Sequence, residues 1–241
     1  MTEDYTVQVS LVNTMGDDLN VVNAARVSYD RFKEMLDNKD KRLIRFLWEN
    51  NHTSPFRHPQ TQWRIHAPIF VLRQWMKHQI GCAWNERSGR YTSFNERDFW
   101  KPDFVRGQDP SIKQGPGFVL PNSDALTVEM DEAYQESYRR YQSLLKQGVC
   151  KEQARMVLPL GLMSSCVWTA SLQAVLHFLT LRLDTHSQHE MRLYAGQVFK
   201  LLGDSGLFDL SIGVWALDFL KTTSRKQDSL IKLLGVEDYV S

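Results

Sequence analysis

The sequence predicts a single α/β domain, and three observations carry that reading. Period-two alternation marks strands, apolar stripes at helical spacing mark several helices, and 241 residues with 42% hydrophobic and 24% charged side chains suffice for one sizeable core. The whole chain, 1–241, is read as one unit.

From the N-terminus, Tyr5 to Asn13 alternates with Val7, Val9 and Leu11 on one face, the mark of a half-buried strand. Gly16, Asp17 and Asp18 turn the chain into a helix whose apolar side is Val21, Val22, Ala25 and Val27. Lys41 to Asn50 places Leu43, Phe46 and Leu47 on one helical side, widened by Ile44 and Trp48. Asn51 to His58 reads as a polar turn into an extended segment, because Pro55 pushes Ser54 away from helical angles. Gln60 to His66 is a strand with Thr61, Trp63 and Ile65 inward. Pro68 then suits the first position of a helix carrying Ile69, Leu72, Met76 and Ile80 on its apolar side.

Tyr91 to Phe99 has the composition of a short strand, and Lys101 to Pro121, with four prolines and three glycines, that of a long loop. Asn122 to Gly148 is a long amphipathic helix with Met130, Tyr134, Tyr141 and Leu145 along its stripe. Lys151 begins a short helix that must stop near Pro159. In the next helix Leu172, Val175, Leu176, Leu179 and Leu183 form one stripe, which leaves Gln173 and His177 together on another side and Arg182 near the end. Thr185 and Gln188 match a capping box for the helix after it, and Leu193 to Leu234 alternates helices and turns with Trp215, Phe219 and Leu220 in the core.

A formal charge of +1 argues against a general polyanion surface, so any phosphate binding is local and no nucleic-acid polymer is expected. No apolar run approaches a membrane span, and MTEDYTVQVS lacks a basic region leading into an apolar core, which points to a cytoplasmic protein without a membrane partner. Cys82, Cys150 and Cys166 are odd in number and lack CxxC spacing, as expected of free thiols in a reducing compartment. His52, His58, His186 and His189 match no common zinc pattern, so no metal is expected.

Polar side chains suited to a phosphorylated, planar ligand are densest from Arg73 to Tyr91, RQWMKHQIGCAWNERSGRY. Arg73 and Lys77 lie one turn apart, as do Gln74 and His78 beside them. The pattern breaks after Gly81, and Asn85 to Arg90 reads as a polar loop whose Gly89 lets a backbone approach a ligand.

QWMKHQ followed by NERSGRYTSF resembles the signature of the flavin-dependent thymidylate synthases (the ThyX family): Arg-His-Arg, seven residues, then Ser, within a QW…SGRY frame. Lys77 and Gln79 stand where that family has arginines, and eight residues separate Gln79 from Ser88, so one residue is inserted between Gly81 and Trp84. AARVS (Ala24 to Ser28) is similar to a segment whose serine lies near the ligand, although on residue type alone Ser28 is a helix-end serine. NHTSPFRH is similar to the family's HxTPFxH, with Ser54 at a threonine position. Ala154 to Glu190 is similar to a second signature region: ARxVLPLxL, an aromatic-containing stretch, a helix ending in LR, and D-x-H-x-Q-x-E.

The resemblance implies a ThyX-like fold, an antiparallel sheet packed with long helices, and a homotetramer with shared active sites. It implies reductive methylation of dUMP at C5 to dTMP, with methylenetetrahydrofolate as one-carbon donor, FAD as cofactor and NADPH as reductant. By position, FAD would contact Ser54, Lys77, His78, Gln79, Glu86, Ser171, Gln173 and His177. The nucleotide would contact Gln74, Trp75, Lys77, Ser88, Gly89, Arg90, Arg155 and Arg182, with Arg182 catalytic at the pyrimidine edge. No protein nucleophile is required. The departures at Lys77, Gln79 and the inserted residue leave two alternatives open: (hydroxy)methylation of another pyrimidine deoxynucleotide such as dCMP, or a nucleotide-binding homologue without activity.

Overall fold

The computed structural model describes residues 7–96, 98–110 and 116–222. Its first half runs β1 (Gln8–Met15), α1 (Asp18–Arg26), α2 (Asn38–Glu49), β2 (Gln60–Pro68), α3 (Ile69–Trp75), β3 (Cys82–Glu86), β4 (Arg106–Gln108) and β5 (Pro116–Val119). There follow α4 (Ser123–Lys146), α5 (Lys151–Ala154), β6 (Met163–Ser171), α6 (Leu172–Arg182), α7 (His189–Asp204) and α8 (Asp209–Thr222). Tyr5 and the segment expected to reach Leu234 lie partly outside the described residues.

β1, β2, β6 and β3 pair antiparallel in the order β1-β2-β6-β3, so strands distant in sequence become neighbours. In β1 Val9 and Leu11 turn inward until a bulge between Leu11 and Asn13 breaks the alternation. In β2 Thr61, Trp63 and Ile65 are buried, as their spacing requires. β6 lies between two partners and carries Cys166, Trp168 and Ala170 on the same inner face. Register sets Trp63 and Trp84 opposite Trp168 on either side, and the three indoles stack along the sheet at 6.4 and 5.5 Å between centroids. Trp75 and Phe178 close over this row from α3 and α6, themselves stacked at 4.6 Å. Aromatic burial of this extent is the main adhesive between sheet and helices.

Capping boxes start the first two helices. Asp17 and Asn20 exchange side chain and backbone bonds before α1, and Asp37 and Asp40 do so before α2. Asp40 is fully buried and also pairs with Arg26 at 2.8 Å and Lys33 at 2.5 Å. At the other end of the chain, Asp18 accepts from Leu210 N at 2.7 Å, Ser211 N at 3.2 Å and the Ser211 hydroxyl, which ties α1 to the start of α8. The α6 stripe of Leu172, Val175, Leu176, Leu179 and Leu183 is wholly buried, as are Trp215, Phe219 and Leu220. A second apolar cluster joins Phe94, Phe99, Tyr141, Ala154 and Leu162 beneath α4, which Gly148 terminates with φ +86.

Several expectations need correction. Phe46 is 53% exposed and Ile44 takes its place on the buried face of α2. Val27 lies outside, in a 3-10 turn with exposed Ser28. The NHTSPFRH segment forms a 3-10 turn at Ser54–Arg57 rather than an extended entry. α3 stops at Trp75, so Ile80 is 91% exposed. What reads as a loop after Gly81 begins with a strand, β3. Among its described residues the segment at Tyr91 to Phe99 pairs only through the Phe99–Leu162 bridge, while the long loop from Lys101 contains the β4–β5 pair. Met130 is 36% exposed rather than buried. The Thr185/Gln188 capping box does not form, because α7 starts at His189 and Gln188 is engaged elsewhere.

Candidate active site

The polar residues singled out by sequence fall at the two ends of β3. Beyond its start lie the loop after α3 and both ends of α6. Arg182, the last residue of α6, donates from Nε to His78 Nε2 at 3.0 Å and from Nη2 to the Gln74 carbonyl at 3.1 Å. Burial followed by the charge of Arg182 pushes His78 down to about 4, so the ring is neutral. His177 adjoins it edge-on at 5.8 Å and Phe178 at 5.2 Å. The Gln74 amide donates to Gln188 Oε1 at 2.5 Å, and Gln188 donates to Glu190 Oε2 at 2.9 Å. Glu190 is buried and paired with Arg106.

At the start of α6, Ser171 is the N-cap, accepting from Ala174 N at 3.2 Å, and its own N–H donates to the Gly81 carbonyl at 3.0 Å. Gly81 has φ +73, and a Cβ there would meet Ser171 Oγ at 2.9 Å. The left-handed turn at Gly81 leads into β3, whose register with β6 is unbroken from Cys82 to Glu86. Gln173 is held by Arg57 Nε at 2.7 Å, and Arg57 also reaches Thr53 Oγ1 at 3.1 Å, which brings the Ser54 turn to the same helix end. Lys77 and Gln79 are exposed, and Lys77 has no ion-pair partner among the described residues. Sequence reasoning missed Arg57; its place beside Pro55 and Phe56, both buried, was the available signal.

Past the other end of β3, Arg87 builds the loop. Its backbone N–H donates to the Ser165 carbonyl at 2.7 Å, its guanidinium reaches Thr92 Oγ1, Asp98 and the Ser93 carbonyl, and it lies 4.6 Å over the Phe94 ring. Ser88 accepts from Arg90 N at 3.3 Å. Gly89 is buried where a Cβ would meet Phe94 at 2.6 Å and the Arg155 side chain at 3.1 Å. Arg90 pairs with Glu152 at 3.2 Å, and Lys151 caps the Tyr91 carbonyl at 3.1 Å. The structure thus gathers Ser88, Gly89, Arg90 and Arg155 into one cationic loop cluster. Glu86 ends β3 with its side chain exposed.

Trp75 does not belong to the site. Its indole is wholly inside the core against Phe178, Trp84 and Trp168, so in place of the expected nucleotide contact it has a packing role. A cavity of about 600 Å³ lies beyond Gln188, walled by Phe70, Trp100, Phe104 and Tyr134, and shares Gln188, Glu190 and Arg106 with the network above. Burial raises both Cys82 and Cys166, the latter to about 12, so neither is a ready thiolate. No group of three or more metal-ligating side chains occurs among the described residues, and His186 bonds to Asp184 instead. None of the described helices is long and apolar enough to cross a membrane.

These residues fit a flavin dinucleotide. Lys77, which has no ion-pair partner among the described residues, the amides of Gln79 and Gln173, and the start of α6 supply donors and positive potential of the kind a diphosphate needs.

The family model for the thymidylate synthase complementing proteins matches residues 10–205. The chain is 41% identical over 196 residues to a flavin-dependent thymidylate synthase of Kosmotoga olearia, covering 80% of this chain and 84% of the relative. It is 40% identical over 194 residues to that of Thermus thermophilus, covering 80% and 70%. A crystal structure of the UMP/dUMP methylase PolB from Streptomyces cacaoi bound with 5-Br dUMP is similar with TM-score 0.79 and 30% identity, covering 88% of this chain and 95% of that one. A second PolB structure, bound with 5-Br UMP, gives 0.78 at 28% identity. With both signature regions present and most of each chain aligned, this protein belongs to the flavin-dependent thymidylate synthase family and is a methyltransferase.

Proposed function

We propose that the protein converts dUMP to dTMP by reductive methylation at C5, with methylenetetrahydrofolate as one-carbon donor, FAD as redox cofactor and NADPH as reductant. The observation that carries this reading is the immobilised Arg182, a cation fixed by His78 and the Gln74 carbonyl at the end of α6. A preorganised guanidinium stabilises negative charge developing on the pyrimidine ring without reorganising during the reaction. Ser88, Gly89, Arg90 and Arg155 hold the nucleotide phosphate, since guanidinium forks match phosphate oxygens in bidentate fashion. Gln74 and Lys77 complete the nucleotide contacts.

Ser54, Lys77, His78, Gln79, Glu86, Ser171, Gln173 and His177 hold FAD, which when bound supplies the hydride equivalent that completes the methyl group. The protein's share is orientation and electrostatics: Arg57 fixes Gln173, and Ser171 fixes the Gly81 turn. Sites are shared within a homotetramer.

A second reading, action on another pyrimidine nucleotide, is favoured by Lys77, Gln79 and the extra residue near Gly81, because glutamine both donates and accepts and lysine lacks a planar fork. The unbroken β3 register weighs against it. Incubating the flavin-loaded protein with methylenetetrahydrofolate and reductant, offering dUMP, UMP and dCMP side by side, and weighing the products decides the matter. Thymidylate from dUMP is the expected result. Conversion of dCMP or a hydroxymethyl product favours the second reading, and a colourless protein yielding no nucleotide product marks a homologue without activity.

A further inference from the structure

Two bonds immobilise the Arg182 guanidinium, and they differ in kind. The Gln74 carbonyl is an acceptor in any state, whereas His78 Nε2 accepts the Nε–H only if it carries no proton. The proton of neutral His78 is therefore assigned to Nδ1 by the bond itself. The ring has little freedom to turn over: it is 8% exposed, edge-on to His177 and Phe178, and its backbone is held on both sides. His78 N donates to the Trp75 carbonyl at 3.0 Å, and Trp84 Nε1 donates to the His78 carbonyl at 3.3 Å. A ring turned by 180° would set Cε1–H, which accepts nothing, against the Arg182 Nε–H. No partner for Nη1 occurs among the described residues.

We propose that His78 is a positioning residue for Arg182: its Nε2 lone pair, with the Gln74 carbonyl, holds the inner edge of the guanidinium so that Nη1 and the outer N–H of Nη2 are presented to the pyrimidine. The inference rests on the role proposed for Arg182 and adds a requirement to it. What matters at position 78 is an acceptor within reach of Arg182 Nε, beyond any contact the ring makes with flavin.

Two measurements test it. Two-bond 1H–15N correlation of the histidine rings at pH 7, with His78 assigned by its disappearance in His78→Phe, should show Nδ1 protonated and Nε2 bare. A protonated Nε2 overturns the proposal. In the flavin-loaded protein, His78→Phe should weaken deoxyuridylate binding by about tenfold or more, and His78→Gln, which returns an acceptor on a side chain of comparable reach, should restore most of the loss. Nucleotide affinity in His78→Phe equal to wild type, or equal losses in both variants at unchanged flavin content, also overturns it. If instead wild-type protein makes no thymidylate while the expected tautomer is seen, the functional reading fails and the His78–Arg182 arrangement stands.

Discussion

Arg57 Nε donates to Gln173 Oε1 at 2.7 Å, joining the 3-10 turn at Ser54–Arg57 to the first turn of α6 across 116 residues of sequence. Arg57 is exposed and Gln173 half-buried, so the bond adds little to stability, in the range of about 0.5–1.5 kcal/mol. Its value lies in fixing two segments assigned to FAD. Arg57→Ala should therefore lower flavin affinity by roughly tenfold while leaving Tm within about 6 °C of wild type. The flavin-to-protein absorbance ratio after desalting is the measurement, and an unchanged ratio would remove Arg57 from the flavin site.

Arg182→Ala should leave the fold and the flavin content intact yet reduce turnover by about 100- to 1,000-fold, the loss typical of one preorganised transition-state contact. α6 retains its buried leucine stripe in this variant, so circular dichroism should not change. Turnover near the wild-type rate would take Arg182 out of the mechanism.

The thiols give a contrasting prediction. Burial pushes Cys166 up to about 12, with the Glu86 carboxylate adding to the effect, and burial also raises Cys82. Almost no thiolate exists at neutral pH, so Cys82→Ala and Cys166→Ala should each keep substantial activity and lose stability through packing alone, about 1 kcal/mol for buried Cys166. Abolished turnover in either variant, with flavin bound, would restore a covalent mechanism.

Asp18 should give the protein a measurable acid-range signature. Burial outweighs the bonds from Ser211 and Leu210 and raises its carboxyl from 3.8 to about 6. Between those values the folded state holds the proton more tightly than the unfolded state, so this group's contribution to stability declines as pH rises from about 4 to 6. Asp18→Asn cannot titrate. Its stability relative to wild type should therefore improve across that window, by up to about 3 kcal/mol, and urea melts at pH 4, 5, 6 and 7 would show the trend. A constant difference across the series would refute the raised value.

How much of this was legible in sequence depended on polarity contrast. Thr61, Trp63 and Ile65 alternate with Gln62 and Arg64, so β2 was plain, and the unbroken leucine stripe made α6 equally so. β6 escaped because its outward residues, Val167 and Thr169, are no more polar than inward Cys166 and Ala170. β3 escaped because the glycine break before it resembles the start of a loop. The candidate residues were found from the SGRY and LPL motifs, yet the bonds that organise them, Arg182 to His78, Gln74 to Gln188 and Arg57 to Gln173, join residues more than a hundred positions apart. Spacing along a chain carries no trace of such pairs. Trp75 was misassigned for the related reason that a tryptophan beside polar neighbours gives no sign of which way its ring turns.

Strand β6 works as a ruler. Its Ser171 N–H grips the Gly81 carbonyl, and its Ser165 carbonyl grips the Arg87 N–H, so the entry and the exit of β3 are both pinned to one rigid segment. At about 3.3 Å per residue those grips stand about 20 Å apart along the strand. Any change in the number of residues between them would slip the pairing and turn Trp84 from the core to the opposite face. Between the two grips, therefore, β3 must match β6 residue for residue, and both ends of the site hang from the same scale.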